Sequence, residues 1–147
     1  MSGLKITCLE CAQANRVPAD GLSCRPNCGV CGAPLMPGRP VEVSDATLAK
    51  AARLDDVPLV ADFWAPWCGP CRAMAPQFAR AATDLGGLAR LVMVNADDNP
   101  GAGARLRLKS FPTMVMWRGG REVGRMAGLL PAANITRWVR QQAGVGV

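Results

Sequence analysis

The junction between an apolar run and a pair of closely spaced cysteines constrains the fold of this chain most. Residues 58–64 read Pro-Leu-Val-Ala-Asp-Phe-Trp, and Cys68-Gly-Pro-Cys71 follows three residues later, directly before a helix-forming stretch. This order predicts a buried strand, a short loop and a helix that starts at the cysteines. A helix N-terminus carries unpaired N–H groups and partial positive charge, which favour the thiolate form of Cys68. The junction therefore indicates a redox-active dithiol.

The same two cysteines could instead form half of a zinc site. Structural zinc takes four protein ligands, however, and the other five cysteines all lie far upstream, between Cys8 and Cys31. The chain has no histidine, which excludes Cys-His and Ser-His catalysis and leaves proton transfer to a carboxylate, a lysine or water. We therefore favour thiol–disulfide exchange at this pair.

Residues 1–38 differ from the rest of the chain, since they hold five of its seven cysteines and several turn-rich stretches. A segment of this length buries too little apolar surface for a useful core of its own and needs a staple. Two Cys-x-x-Cys pairs separated by sixteen residues can provide it. Their spacing is typical of a zinc ribbon with one structural ion, whose predicted ligands are Cys8, Cys11, Cys28 and Cys31.

Two questions about these cysteines stay open at this point. A site that releases zinc when it is oxidised is the alternative to a purely structural one. The seventh cysteine, Cys24, lies four residues before Cys28 and is either an idle thiol or an alternative ligand.

Residues 39–147 alternate between strand and helix patterns and form the second predicted domain. Parallel crossovers early and a hairpin late predict an α/β fold, with a mixed central sheet covered by helices on both faces. The predicted strands are 41–43, 58–64, 91–95, 112–117 and 122–127. The predicted helices are 45–54 with Ser44 as its cap, 70–85, 100–108 and 131–142.

The charge pattern and the N-terminus bear on partners and location. The formal net charge is +6, and residues 101–140 contain eight Lys or Arg against a single acid. We interpret this bias as a solvated basic face, because its charges alternate with apolar residues; attraction of acidic proteins or nucleic acid is the alternative. The first residues contain no apolar run of signal-peptide length, and no segment reaches the length of a membrane span, so a cytoplasmic protein without membrane contact is expected.

Several short motifs together resemble a known family. They are Asp62-Phe-Trp-Ala-Pro-Trp-Cys-Gly-Pro-Cys71, Ala75-Pro76, Asn99-Pro100, Phe111-Pro112-Thr113, Gly119-Gly120 and Ala127-Gly128. With the N-terminal cysteine pairs, the chain resembles the zinc-binding second type of bacterial thioredoxin. The resemblance implies a thioredoxin fold preceded by a small zinc ribbon, and reduction of protein disulfides with electrons from an NADPH-dependent thioredoxin reductase. A monomer without an organic cofactor is expected.

The residues themselves indicate a two-step exchange. The Cys68 thiolate attacks a substrate disulfide, and Cys71, one helical turn away, resolves the mixed disulfide. Asp62 interrupts a strand that is otherwise apolar enough to be buried on both faces, so its pKa should be raised. By resemblance it lies beneath the cysteines and acts as the base for Cys71; a strand-end aspartate that faces solvent is the alternative.

The resemblance also implies a substrate groove beside the cysteines. In it, Pro112 is cis, and an extended substrate contacts Trp67, Gly69, Pro70, Phe111, Pro112, Thr113 and Gly128. One departure from the family concerns Met93, which stands where thioredoxins usually carry a lysine close to the aspartate. Without that cation, we expect a higher pKa for Asp62 than in a lysine-bearing thioredoxin.

The leading hypothesis is an enzyme, a cytoplasmic protein disulfide reductase. The alternative is a binding module, in which the zinc ribbon and the basic surface recruit a protein or nucleic acid and the dithiol is secondary; nucleic acid is not the expected partner. An oxidase or isomerase is disfavoured by Gly69-Pro70, which resembles the pair found in reductants. Three roles stay open for the ribbon: docking on its own domain, gating the groove, or binding partners.

Overall fold

The computed structural model describes residues 3–144, except for the side chains of Ser23 and Cys24. Its strands are β1 Leu4–Thr7, β2 Ala14–Val17, β3 Val41–Glu42, β4 Leu59–Trp64, β5 Arg90–Asn95, β6 Thr113–Arg118 and β7 Arg121–Ala127. Its α-helices are α1 Asp45–Leu54, α2 Gly69–Asp84, α3 Pro100–Leu106 and α4 Ala132–Gln142, and a 3₁₀ helix spans Ala19–Cys24. Among residues 3–144, no helix is both long enough and apolar enough to cross a bilayer.

The five strands from β3 to β7 form one mixed sheet in the order β3-β5-β4-β6-β7. Strand β5 runs parallel to β3 and β4, whereas β6 is antiparallel to β4 and to β7. Side chains alternate along β4, so that Leu59, Ala61 and Phe63 enter the core beneath α1 and α3. Val60 enters the other core, beneath α2 and α4, and Asp62 therefore faces the same side. The predicted α/β architecture is confirmed.

Local signals place most element ends within one or two residues of their predicted positions. Ser44 caps α1, since its Oγ accepts a hydrogen bond from the Thr47 N–H at 3.3 Å. Helix α3 ends at Leu106, not at residue 108, because Arg107 adopts a left-handed conformation with φ 55° and closes the helix. Strand β3 contains two residues instead of the predicted three.

The N-terminal segment contains a small core that the sequence did not predict. Strands β1 and β2 pair as an antiparallel hairpin, with Leu4 opposite Val17. Behind the hairpin, Ile6 and Leu35 pack with two of the cysteines and with Val57, which belongs to the loop before β4. The expectation of a segment without a useful core is therefore wrong in part, because the rest of the chain contributes one side of that core.

A buried ion pair fastens this segment to the sheet. Arg90, at the start of β5, pairs with Asp55, and both side chains are almost fully buried. Nη1 of Arg90 also donates to the Thr7 carbonyl at 2.8 Å and to the Leu35 carbonyl at 3.2 Å. The Thr7 N–H donates to Oδ1 of Asp55 at 2.8 Å. The two N-terminal carbonyls thus depend on a guanidinium from the central sheet.

Two exposed contacts extend the same junction. The Lys5 N–H donates to Oδ2 of Asp56 at 2.7 Å, and the Asp56 N–H donates to the Lys5 carbonyl at 2.8 Å. Lys50, on α1, donates to the Ala12 carbonyl. Asp55, Asp56 and Arg90 lie near the N-terminal ends of β4 and β5, whereas the dithiol follows the C-terminal end of β4, about 17 Å further along the strand. The geometry favours docking of the segment on its own chain over gating of the groove.

Candidate functional site

The two cysteines of the 68–71 motif lie at the start of α2 and are joined as a disulfide. Cys68 is the N-cap of the helix, and its Sγ accepts a hydrogen bond from the Cys71 N–H at 3.2 Å. Both residues are buried, and the Cys68 Sγ lies 3.6 Å from the Phe111 carbonyl oxygen. In the reduced protein, the same N–H group and the helix N-terminus would stabilise a thiolate on Cys68.

An aromatic surface adjoins this buried sulfur. Trp67 is 66% exposed, and its ring meets Phe111 edge to face with the centroids 6.0 Å apart. Its Nε1 donates to Oδ1 of Asp97 at 3.3 Å, which fixes the orientation of the indole. Gly69 and Pro70 form the exposed first turn of α2 beside it. An exposed apolar side chain next to a reactive sulfur is suited to contact with a protein substrate.

The loop before β6 also adjoins the disulfide, through Phe111. The Phe111–Pro112 peptide bond is cis, as the resemblance implies. The Pro112 carbonyl accepts a hydrogen bond from the Gly128 N–H at 2.8 Å, and Gly128 has φ 98° with open space where a Cβ would stand. Thr113 is buried, and its Oγ1 donates to the Ser110 carbonyl at 2.7 Å. Its hydroxyl therefore supports the loop from inside, while the glycine leaves room beside the proline.

Asp62 is buried beneath this site, with only 1% of its surface exposed. Its neighbours in the sheet are Met93 on β5 and Met114 on β6, and within residues 3–144 neither carboxylate oxygen has a hydrogen-bond partner. Burial, and then the charge of Glu42, raise the pKa of Asp62 to about 7. The alternative of a solvent-facing strand-end aspartate is wrong, and a carboxyl group with this pKa exchanges protons near neutral pH.

Sequence reasoning missed Glu42, the second carboxylate on this face of the sheet. Its Oε1 accepts from Nε1 of Trp64 at 3.2 Å, and its Oε2 accepts from the Asn95 N–H at 3.0 Å. Burial raises the pKa of Glu42 as well. A glutamate in a two-residue edge strand looks like an ordinary surface residue, and only the pairing of β3 with β5 brings it to this site.

The four N-terminal cysteines form a compact cluster. Their Sγ atoms all lie within 4.8 Å of one another, with Cys8 3.6 Å from Cys31 and Cys11 3.7 Å from Cys28. A tetrahedral zinc with Zn–S bonds of about 2.3 Å requires sulfurs about 3.8 Å apart, so the cluster has the size that zinc needs. The donor set and its geometry therefore suit a four-thiolate zinc site.

Hydrogen bonds to the cysteine sulfurs support the same assignment. Sγ of Cys28 accepts from the Val30 N–H at 3.4 Å and from Nδ2 of Asn15 at 3.5 Å. The backbone N–H of Cys31, and then the amide of Asn15, lower the pKa of Cys28 to about 6. Donors aimed at this sulfur favour the thiolate of Cys28, and thiolates are the form of cysteine that binds zinc. The side chain of Cys24 lies outside the described part of the structure.

Comparisons with known proteins find relatives of both parts of the chain. A family model described as Thioredoxin matches residues 40–141, and one described as Thioredoxin 2, N-terminal, matches residues 7–33. Thioredoxin C-3 of Corynebacterium nephridii is 35% identical over 137 residues, which cover 93% of this chain and 94% of the relative. Thioredoxin 1 of Nostoc sp. is 36% identical over 96 residues, covering 65% of this chain and 90% of the relative. The crystal structure of chloroplastic thioredoxin z superposes with a TM-score of 0.66 at 32% identity, covering 72% of this chain and 96% of that chain.

Proposed function

The chain belongs to the thioredoxin family, and we propose that this protein-disulfide oxidoreductase works mainly as a reductase of protein disulfides. It has the thioredoxin fold, with a four-cysteine zinc-ribbon segment at its N-terminus. The observation that carries the proposal is the Cys68–Cys71 pair at the start of α2, where the second residue's N–H points at the first residue's sulfur. Such a site favours an attacking thiolate on Cys68 and leaves Cys71 behind it as the resolving thiol.

The first step forms a mixed disulfide. The Cys68 thiolate attacks one sulfur of the substrate disulfide, so that the substrate S–S bond breaks and a Cys68–substrate bond forms. The other substrate sulfur leaves as a thiolate and takes up a proton. An extended substrate segment would lie between Trp67 and the cis-Pro112 loop, with backbone pairing along Phe111. Gly69, Pro70, Thr113 and Gly128 complete the proposed groove.

The second step releases the substrate. Asp62 takes the proton of the Cys71 thiol, and the resulting thiolate attacks the Cys68 sulfur. The mixed disulfide breaks, the second substrate sulfur leaves as a thiolate and takes up a proton, and the Cys68–Cys71 disulfide of the described structure forms, after which Asp62 releases its proton to solvent. Two electrons and two protons have then passed to the substrate. A base with a pKa near 7 suits this transfer, since it is partly ionised at neutral pH.

The zinc site belongs to folding in this proposal. One ion, held by Cys8, Cys11, Cys28 and Cys31, supplies the cross-link that the N-terminal segment needs, and no step of the exchange involves it. We place the boundary between the ribbon, residues 1–38, and the thioredoxin domain, residues 39–147, close to the ends of the two family matches. We propose no organic cofactor in the chain.

The proposed cellular setting follows from the family. A cytoplasmic monomer would be re-reduced by an NADPH-dependent thioredoxin reductase and would pass its electrons to protein disulfides. The alternative of a binding module is not favoured, because part of the basic surface already has partners in the chain. Arg105 pairs with Asp45, and Arg125 pairs with Glu122.

Turnover and potential test the proposal together. With NADPH and thioredoxin reductase, the wild-type protein should reduce insulin disulfides, and Cys68→Ser should abolish this activity. Cys71→Ser should instead accumulate a mixed disulfide, which mass spectrometry detects. The reduction potential of the pair should lie near the value of about −270 mV typical of thioredoxin. A potential close to that of an oxidase, about −120 mV, would reverse the proposed electron flow.

A further inference from the structure

Three residues form a row across the sheet beside the dithiol. In the parallel register, Met93 on β5 lies opposite Glu42 on β3 and opposite Asp62 on β4. Paired residues of parallel strands point to the same face of the sheet, and Met93 packs into the core beneath α2 and α4. The two carboxylates therefore flank one apolar side chain on the face that carries α2.

Glu42 is fixed in this row by its hydrogen bonds. The Trp64 indole N–H and the Asn95 backbone N–H both donate to its carboxylate. Trp64 lies two residues after Asp62 on the same strand face, and it packs against the buried cluster that contains Cys68 and Cys71. Glu42 thus lies at the edge of the sheet, with its carboxylate directed inward toward the strand that leads to the dithiol.

Within residues 3–144, none of the ion pairs includes Glu42 or Asp62. β5 and β6 place only methionines beside Asp62, and Asp98 adds a further negative charge near Glu42. The charged and titratable groups on the helices over this face are Cys68, Cys71, Arg72 and Arg80 on α2, with Asp84 at its end, and Arg137 and Arg140 on α4.

Three of the cations on those helices are directed elsewhere. Nη1 of Arg72 donates to the Pro66 carbonyl at 3.0 Å. Arg137 and Arg140 line a surface cavity together with Asp84. The fourth, Arg80, is exposed. The charge that raises the pKa of Asp62 is that of Glu42.

We propose that Glu42 is a positioning residue for the second step of the exchange: its negative charge, two strands away in the same row of the sheet, strengthens the Asp62 carboxylate as the base that takes the Cys71 proton. The proposal rests on the role of Asp62 in the proposed function. When Asp62 is ionised and takes the Cys71 proton, it relieves the repulsion from Glu42, so the transfer is more favourable than it would be beside a neutral residue. The thiolate so formed makes the Cys68–Cys71 bond as the substrate sulfur leaves with its electron pair.

The distance between the two carboxylates sets the size of the expected pKa shift. Two strand spacings of about 4.8 Å separate β3 from β4, so the charges lie about 10 Å apart. With an effective dielectric constant between about 20 and 80, one charge at that distance moves a titration by about 0.3 to 1.2 pH units. Burial of Asp62 places the expected shift in the upper half of this range.

Glu42→Gln tests the proposal, because glutamine removes the charge and keeps an oxygen that accepts from Trp64 or Asn95. Two quantities are measured: the pKa of Asp62 in the reduced protein by carboxyl NMR, and the pH profile of mixed-disulfide breakdown in single turnover. Both midpoints should fall by about 0.3 to 1.2 pH units in Glu42→Gln. Glu10→Gln, the same change at an exposed ribbon position, should leave both midpoints at their wild-type values.

Further variants separate the charge from the structural role. Glu42→Asp keeps the charge and should keep midpoints close to those of the wild type, whereas unchanged midpoints in a folded Glu42→Gln would overturn the proposal. In an Asp62→Asn background, Glu42→Gln should no longer shift the profile, and a persisting shift would likewise contradict it. If Asp62→Asn alone leaves the breakdown profile unchanged, the proposed role of Asp62 fails instead.

Discussion

Asp62→Asn should stabilise the oxidised protein at neutral and alkaline pH and leave its stability nearly unchanged at pH 4. The pKa of Asp62 is about 7 in the folded protein and near 3.8 when the chain is unfolded. Between these values the folded state retains a proton that the unfolded state has released. The wild-type protein therefore has its full stability below about pH 4 and loses part of it as the pH rises through 7. Asparagine never ionises, so the variant escapes this loss.

The burial of Asp62 sets the size of the expected gain in stability. A pKa shift of about three units corresponds to about 4 kcal/mol, at 1.36 kcal/mol for each unit. Asp62 is 1% exposed, so solvent screening does not reduce this figure appreciably. Almost all of the difference should be present at pH 7, and the rest by pH 8. An unpartnered asparagine amide and an unpartnered protonated carboxyl have similar costs of burial, which is why the two proteins should match at low pH.

The difference in the free energy of unfolding is measured by urea denaturation of the two oxidised proteins, in half-unit steps from pH 4.5 to 9. Oxidation removes the titration of Cys68 and Cys71 from the comparison. Asp84→Asn, the same change at an exposed position of α2, serves as the control for the replacement of a carboxylate by an amide. Wild-type and Asp62→Asn stabilities that run parallel from pH 4.5 to 9 would refute the reasoning from burial.

Three further outcomes are expected. Met93→Lys should lower the pKa of Asp62, because it places a cation beside the buried carboxylate. An unchanged pKa of Asp62 in carboxyl NMR of the reduced protein would contradict this reasoning. Asp55→Asn should reduce the free energy of unfolding by about 3 to 5 kcal/mol, because it leaves a buried guanidinium without its anion; a loss below about 1 kcal/mol in urea denaturation would contradict the burial of that pair. Cys28→Ser should lose zinc, as metal analysis would show, whereas Cys24→Ser should retain one ion per chain, and a zinc-free Cys24→Ser would identify that thiol as a ligand.

The features that the sequence predicted correctly depend on near neighbours in the chain. Ser44 precedes a helix pattern and caps it, and the apolar run before Cys68 forms the strand that leads into α2. The burial of Asp62 could be predicted because an apolar strand on both sides of a charge leaves it little access to water. The fold class is confirmed for the same reason, since alternating strand and helix patterns admit few packings.

The features that the sequence did not predict depend on residues far apart. Strands β1 and β2 have four residues each and no clear alternation, so their pairing becomes visible only when the cysteine cluster brings them together. Asp55 and Asp56 look like a polar loop after α1, yet both bind backbone N–H groups of β1. The site contribution of Glu42 requires the register of three strands, which local patterns do not determine. The catalytic and groove residues stay predictions until the variants are measured.

The ion pair of Arg90 with Asp55 limits how freely the two parts of this chain can be exchanged between proteins. A chain shortened to residues 39–147 would lose the Thr7 and Leu35 carbonyls that the guanidinium contacts. The surface exposed by this truncation would carry the Arg90–Asp55 pair and the apolar side chain of Val57, which are covered by the N-terminal segment in the intact chain. A chain without the ribbon therefore has a different surface near the start of β5. Chimeras that join this ribbon to another thioredoxin domain should include the counterparts of these residues.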